Sequence, residues 1–280
     1  NVHIIIRHHD CSNQDAITID NIKILNALVE GNTTISHASS FSVIANQSLN
    51  IFEGTGLWSN ALLWSKGLVP STTDDVIVAG DATIESGNIT VNTLSIEEGS
   101  LTMNGGALTV SGLLVNTDAD AFVINNGAQV IQNNDKVAAT VNMDIVDWNK
   151  WQFIASPVKD IEIEGFVPST GYDLFKYDGT KKDAEWVNYQ GHVADFEETF
   201  QQGRGYLASY ETETTATFAG TVNSANSFTF EEVNAYEADS YANFYLLGNP
   251  FTFNMNWANV TLNNVYNGVA TGGAKGSYAY

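Results

Sequence analysis

The residue types with the widest chemical repertoire stand together near the start of the chain: Arg7, His8, His9, Asp10 and Cys11. A transition-metal site needs three or four such ligands converging on one point, and neighbours along a strand face opposite ways. His8 and His9 therefore share no ion without a bulge, and the cluster reads as a polar loop between strands. Cys11 as a nucleophile needs a lowered pKa and an orienting base, and the later histidines, His37 and His192, lie outside this strand pair. Asn116, Asp118 and Asp120 alternate like the oxygen ligands of a calcium loop. The glycine and distal glutamate of a helix-loop-helix site are missing there, which favours a solvated loop. Gly203-Arg204-Gly205 is followed by no helical pattern and is not a phosphate cradle.

Sugar-cleaving chemistry needs a base to abstract a proton, or two carboxylates flanking a cleft. From Lys66 to Lys136 no Lys, Arg or His intervenes, so this central stretch has no lyase base. Acid pairs occur at Asp74/Asp75, Glu97/Glu98, Glu197/Glu198 and Glu231/Glu232, but adjacent strand residues face apart, and the pairs read as solvated turns. No catalytic residues are assigned and no enzyme is expected. What remains is the aromatic set Trp148, Trp151, Tyr172, Tyr177, Trp186, Tyr189 and Tyr206. Aromatic faces beside Asn and Asp side chains suit sugar stacking, and the competing reading is core packing. Trp151, Trp186 and Tyr189 are the expected ligand contacts wherever they are exposed.

The elements that must position these residues follow from composition. The 280 residues carry 11 Lys plus Arg against 32 Asp plus Glu, a formal net charge of −21. Such a surface repels phosphate backbones and anionic headgroups, so nucleic acid is excluded as a partner. No apolar run reaches the ~18 residues of a membrane helix, and membrane insertion is not expected. Only 15% of residues are charged, while Asn, Ser, Thr and Gly crowd the chain, a composition suited to turns and strand faces. The expected fold class is all-β. The single Cys11 excludes an internal disulfide framework. A chain that begins at Asn1 and ends in a Gly-rich stretch reads as a fragment.

Residues 1–27 hold two apolar runs around a polar loop and read as two strands. Residues 28–56 read as a linker with weak strands. From Asp74 to Asn134 the chain breaks into VIVAG, ATIESG, ITVN, LSIEEG, SLTMNGG, ALTVSG, LLVN, FVINNG and AQVIQN. Short alternating strands closed by single turn residues, with no room for helical crossovers, predict a short β-solenoid of stacked coils over 57–147, with a two-sheet sandwich as the competing reading. Its core is expected to take Ile84, Ile89, Leu94, Ile96, Leu101, Leu108, Val110, Leu114, Ile124 and Val130, with Trp58 or Trp64 over the first coil. Longer aromatic strands in 148–280 predict an antiparallel β-sandwich.

Three stretches resemble known modules. Ile5, Arg7, His8, Asp10, Cys11, Asp15, Asp20 and Ile22 resemble the C-terminal end of the gingipain-type cleaved adhesin domain, a jelly roll, with Ile6 where that family usually has Phe and Asn21 where it often has Asp. The resemblance makes residues 1–27 a jelly-roll remnant and places Asp20 near a structural calcium, whose six to eight oxygens would need residues from outside this stretch. Trp58, Trp64, Gly67, Pro70 and the following acid pair look like the entry of a repeat module of bacterial surface proteins exported by type IX secretion. The blocks Trp151–Pro157, Gly203/Gly205/Tyr206, Phe218/Gly220/Thr221, Leu246–Pro250 and Trp257 resemble a further module that follows such solenoids. The resemblance implies a secreted or cell-surface bacterial adhesin or spacer without catalysis, with host or matrix glycoconjugates or proteins as partners. The other reading is an accessory portion of a secreted protease or glycoside hydrolase.

Overall fold

A computed structural model describes residues 48–145, 151–181, 183–224 and 245–256. The first coil contributes β1 (Leu49–Phe52) and β2 (Thr55–Leu57). Three complete coils follow: β3 (Asp75–Val78), β4 (Asp81–Ile84) and β5 (Asn88–Val91), then β6 (Thr93–Ile96), β7 (Ser100–Met103) and β8 (Ala107–Val110), then β9 (Leu114–Val115), β10 (Phe122–Ile124) and β11 (Gln129–Ile131). Strands of successive coils pair in parallel on three sides, β1-β3-β6-β9, β2-β4-β7-β10 and β5-β8-β11, with β12 (Ala138–Ile145) added after β10. The β-solenoid is therefore shown, and the sandwich reading of this stretch is excluded. Leu49–Phe52, inside the stretch read as linker, already belongs to the solenoid, because it pairs residue for residue with Asp75–Val78.

Alternation makes the core. In β3, β6, β7 and β8 every second residue is buried, which leaves Thr93, Ser95, Ser100, Thr102 and Thr109, with Asp75, Ile77 and Ala107, on the outer face. Parallel register then stacks like on like: Val76, Leu94 and Leu114 form one column, Ala82, Leu101 and Phe122 another, Ile84, Met103 and Ile124 a third. Nine of the ten core residues expected from the sequence are buried, and Ile89 packs half-buried against them. Both Trp58 and Trp64 are buried, their rings edge-on at 4.7 Å, and Trp64 meets Phe52 at 5.1 Å. They sit on the excursion that makes the first coil long: Thr55 bonds Asp81 26 residues on, whereas Asp81 bonds Ser100 after 19.

The corners are set by space. A Cβ on Gly80 would lie 2.1 Å from the Gly54 carbonyl oxygen, and one on Gly99 2.0 Å from that of Gly80, so only glycine lets these corners stack. Another corner carries a polar ladder. Asn104 donates to Glu85 (2.9 Å), Asn125 to Asn104 (2.7 Å), Asn142 to Asn125 (2.8 Å) and Thr217 to Asn142 (2.9 Å).

After β12 come β13 (Gln152–Ile154), a single helical turn α1 (Ile163–Phe166), β14 (Tyr172–Tyr177), β15 (Trp186–Asn188), β16 (Tyr206–Tyr210) and β17 (Thr214–Thr221). β17 returns antiparallel along the full length of β12 and closes that edge of the solenoid. The other four strands form one antiparallel sheet, order β13-β16-β14-β15. Among the described residues, the stretch expected as a sandwich forms this one antiparallel sheet. Phe166, Phe200, Tyr206 and Phe218 pack at 4.6 to 5.8 Å and join its inner face to β17. Thr252 closes the third side: its carbonyl accepts from the Val130 amide (2.8 Å), and its hydroxyl donates to the Val130 carbonyl (2.7 Å).

Candidate functional site

The antiparallel sheet has one covered and one open face, and strand parity assigns the side chains. Tyr172, Leu174 and Lys176 of β14 are buried, while Asp173, Phe175 and Tyr177 face away from the core. Directly opposed residues share a face, so Phe153, Leu207, Phe175 and Asn188 form one row across all four strands, and Tyr177 stands beside Trp186. Trp151 leans over this row, its ring 5.7 Å from that of Phe175, and Tyr177 meets Trp186 at 5.2 Å. Trp151 is 51% exposed, Phe153 49% and Trp186 43%. Asn188 donates to Asp173 at 2.5 Å on the same face. The result is an aromatic strip about three strand spacings wide, roughly 14 Å, with a polar pair set in it.

Two of the three expected contacts, Trp151 and Trp186, lie on this strip. Tyr189 does not. It is 6% exposed, its ring packs edge-on against Phe196 at 5.1 Å, and burial, with Glu164 and Tyr172 adding, pushes its hydroxyl pKa up. An odd separation of three from Trp186 puts it on the covered face, since the ladder continues through its amide to the Leu174 carbonyl (2.7 Å). Tyr177, one of the aromatic candidates, also lies on the strip; Phe153 and Phe175 are not among those candidates, although the i, i+2 spacings Trp151/Phe153 and Phe175/Tyr177 carry the signal. Tyr172 and Tyr206 belong to the core, and burial raises the Tyr206 hydroxyl to about 12 despite the hydrogen bond it accepts from the Gln201 amide.

Tyr177 also borders a cleft of about 220 Å³ lined by Lys176, Asp178, Thr180, Glu197, Arg204 and Tyr245. Lys176 is buried, bonds the Asp195 carbonyl, pairs with Glu197 at 3.3 Å and sits 4.9 Å over the Phe196 ring. Arg204 takes the other Glu197 oxygen at 2.9 Å. Burial raises the Asp178 carboxyl, but hydrogen bonds from Thr180 and the charges of Lys176 and Lys181 outweigh it and hold it below its ordinary value. A glycosidase acid must keep its proton near neutral pH, so Asp178 is unsuited to that role.

The motif glycines are structural. Gly205 donates to Leu246 (2.8 Å), and Gly248 donates to Gly203 (2.9 Å), so the GRG and LLGNP blocks pair with each other. A Cβ on Gly248 would meet Ala155 at 2.3 Å. Asn116 donates to the carbonyls of Asp118 (2.6 Å) and Ala138 (2.7 Å), and Asp118 caps a one-turn helix by accepting from Asp120 at 3.0 Å. Those groups hold the loop itself, and no group of three His, Cys, Asp or Glu that could hold a metal occurs among the described residues. Asp20 and the His8–Cys11 cluster lie outside the described residues, as do Trp148 and Trp257.

The fold defines a parallel β-solenoid with an antiparallel sheet appended to its last coil. A family model matches residues 51–271, and the chain belongs to that family, a domain of unknown function (DUF8693). No curated protein and no solved structure matches it.

Proposed function

We propose that this chain is a non-catalytic segment of an exported bacterial surface protein that holds host or matrix glycoconjugates on the open face of its antiparallel sheet. The observation that carries the reading is the strip of Trp151, Phe153, Phe175, Tyr177 and Trp186 with the Asp173–Asn188 pair set in it. An apolar face stacks on the C–H face of a sugar ring, and nearby polar groups fix its hydroxyls. The solenoid serves as a rigid spacer, since Asn92, Thr93 and Ser100 on its outside are already bonded to Asp75 and Asp81 of the neighbouring coil, and Asn104, Asn125 and Asn142 to one another. Export is supported by the resemblance of residues 1–27 to a cleaved adhesin domain and of the later blocks to modules of type IX-secreted surface proteins.

A glycan array with a matched screen for sugar, ester and peptide turnover tests this reading. Weak binding without turnover is expected, with signal lost in Trp151→Ala and Trp186→Ala. A silent array, or turnover that disappears when one acid lining the cleft is replaced, overturns it.

A further inference from the structure

The cleft beside Tyr177 differs from the strip in one respect that bears on what is bound. Its lining sets two cations, Lys176 and Arg204, against two carboxylates, Asp178 and Glu197. An anionic ligand would need cations in excess, and a cationic ligand carboxylates in excess. A neutral polyol needs donors and acceptors side by side, as this cleft offers them. Asp178 spends Oδ1 on the Thr180 amide (3.0 Å) and hydroxyl (2.6 Å), which leaves Oδ2 unpartnered among the described residues. The volume of about 220 Å³ falls below the ~300–1,000 Å³ of ordinary ligand pockets and suits one ring. Tyr177 lines the cleft and also pairs with Trp186 at 5.2 Å, so one residue borders both cleft and strip. The wider surface agrees, because a net charge of −21 repels sulfated, sialylated and uronate glycans.

We propose that the cleft is the end subsite of a binding face for neutral glycans, seating one uncharged sugar ring by its hydroxyls while the following rings lie across Trp186 and Tyr177 towards Trp151. The proposal rests on the glycan reading above and adds the charge class of the ligand, the end subsite and the direction of the chain. Strand spacing and the length of a sugar ring in an extended chain are similar, so strip and cleft together hold about four rings.

The test is calorimetric titration of the whole chain with cello-, xylo- and chito-oligosaccharides of one to six rings, and with oligogalacturonides as the acidic counterpart. At least one neutral series should bind, with affinity climbing to about four rings and then levelling. Asp178→Asn and Thr180→Val should each weaken a bound four-ring ligand by about 3- to 10-fold, the loss of one hydrogen bond, at a temperature where melting curves show both variants fully folded. Trp151→Ala should weaken only the longer oligomers. Loss of affinity in Trp151→Ala and Trp186→Ala with none in Asp178→Asn and Thr180→Val overturns the cleft and leaves the glycan reading standing. Tighter binding of oligogalacturonides overturns the neutral class. Failure of every series to bind overturns both.

Discussion

Replacing Gly99 by Ala tests the stacked corners directly. The added methyl would stand 2.0 Å from the Gly80 carbonyl oxygen, 2.4 Å from its carbon and 2.7 Å from its Cα, all backbone atoms that no rotamer can move. Real Cβ contacts stay beyond 3.0 Å, so the third coil must rise from the second by about 1 Å at this corner. The Ser100 amide reaches the Gly80 carbonyl at 3.1 Å, and a rise of that size takes it past hydrogen-bonding distance. This lost ladder bond at ~0.5–1.5 kcal/mol, plus overpacking of ~1–3 kcal/mol, gives a loss of about 2–4 kcal/mol. At roughly 2–4 °C per kcal/mol for a chain of this size, the melting temperature should fall by about 5–15 °C. Gly165→Ala is the matched control: that glycine lies in α1, meets nothing within 4 Å and needs no left-handed backbone. Alanine there should be neutral or stabilise by up to ~1 kcal/mol. Thermal melts of both variants followed by circular dichroism decide the matter. If Gly99→Ala melts with Gly165→Ala and the parent, close packing at the corners does not limit the sequence, and the account of the coil fails.

Two further perturbations address the core and its charge. Leu101 is fully buried between Ala82 and Phe122, and Leu101→Ala should cost about 2–5 kcal/mol in denaturant unfolding; a loss under 1 kcal/mol would mean that the columns collapse around the gap. At Asp74 burial raises the carboxyl, but hydrogen bonds from Lys66 and from Ser71 outweigh it and hold it below its ordinary value. A lowered folded-state pKa adds stability that is present above the unfolded value, near 3.9, and is lost as pH falls through the folded one. The parent should therefore lose stability more steeply below about pH 4 than Asp74→Asn, and parallel acid titrations of the two would refute the assignment.

Much of this architecture was legible in the chain because a solenoid is a local object. Each strand of three or four residues ends in Gly or Asn, each alternates, and the partner lies one coil away, so the pattern around Leu94, Leu101 and Leu108 already contains their shared interior. The Asn residues that mark turns gave no sign that Asn104, Asn125 and Asn142 bond one another, because that depends on the corner, where side chains of successive coils come into register. Leu49–Phe52 falls in the stretch read as linker because the excursion bearing Trp58 and Trp64 lengthens its coil and breaks the repeat spacing.

The face of the antiparallel sheet shows the boundary between the two kinds of information. Alternation divides β14 into Asp173, Phe175, Tyr177 and Tyr172, Leu174, Lys176, and apolar content makes either set a candidate core. Choice between them falls to segments far away in sequence: Phe166, Phe200 and Phe218 cover one face and leave Phe175, Tyr177, Trp151 and Trp186 to solvent. The cleft has the same origin, because Lys176, Glu197, Arg204 and Tyr245 come from four separate stretches of chain. Period and composition set the coil, its interior and the class of fold, since those follow from neighbours along the chain; which aromatics are left open, and which charges meet beside them, is decided by long-range packing that no local pattern encodes.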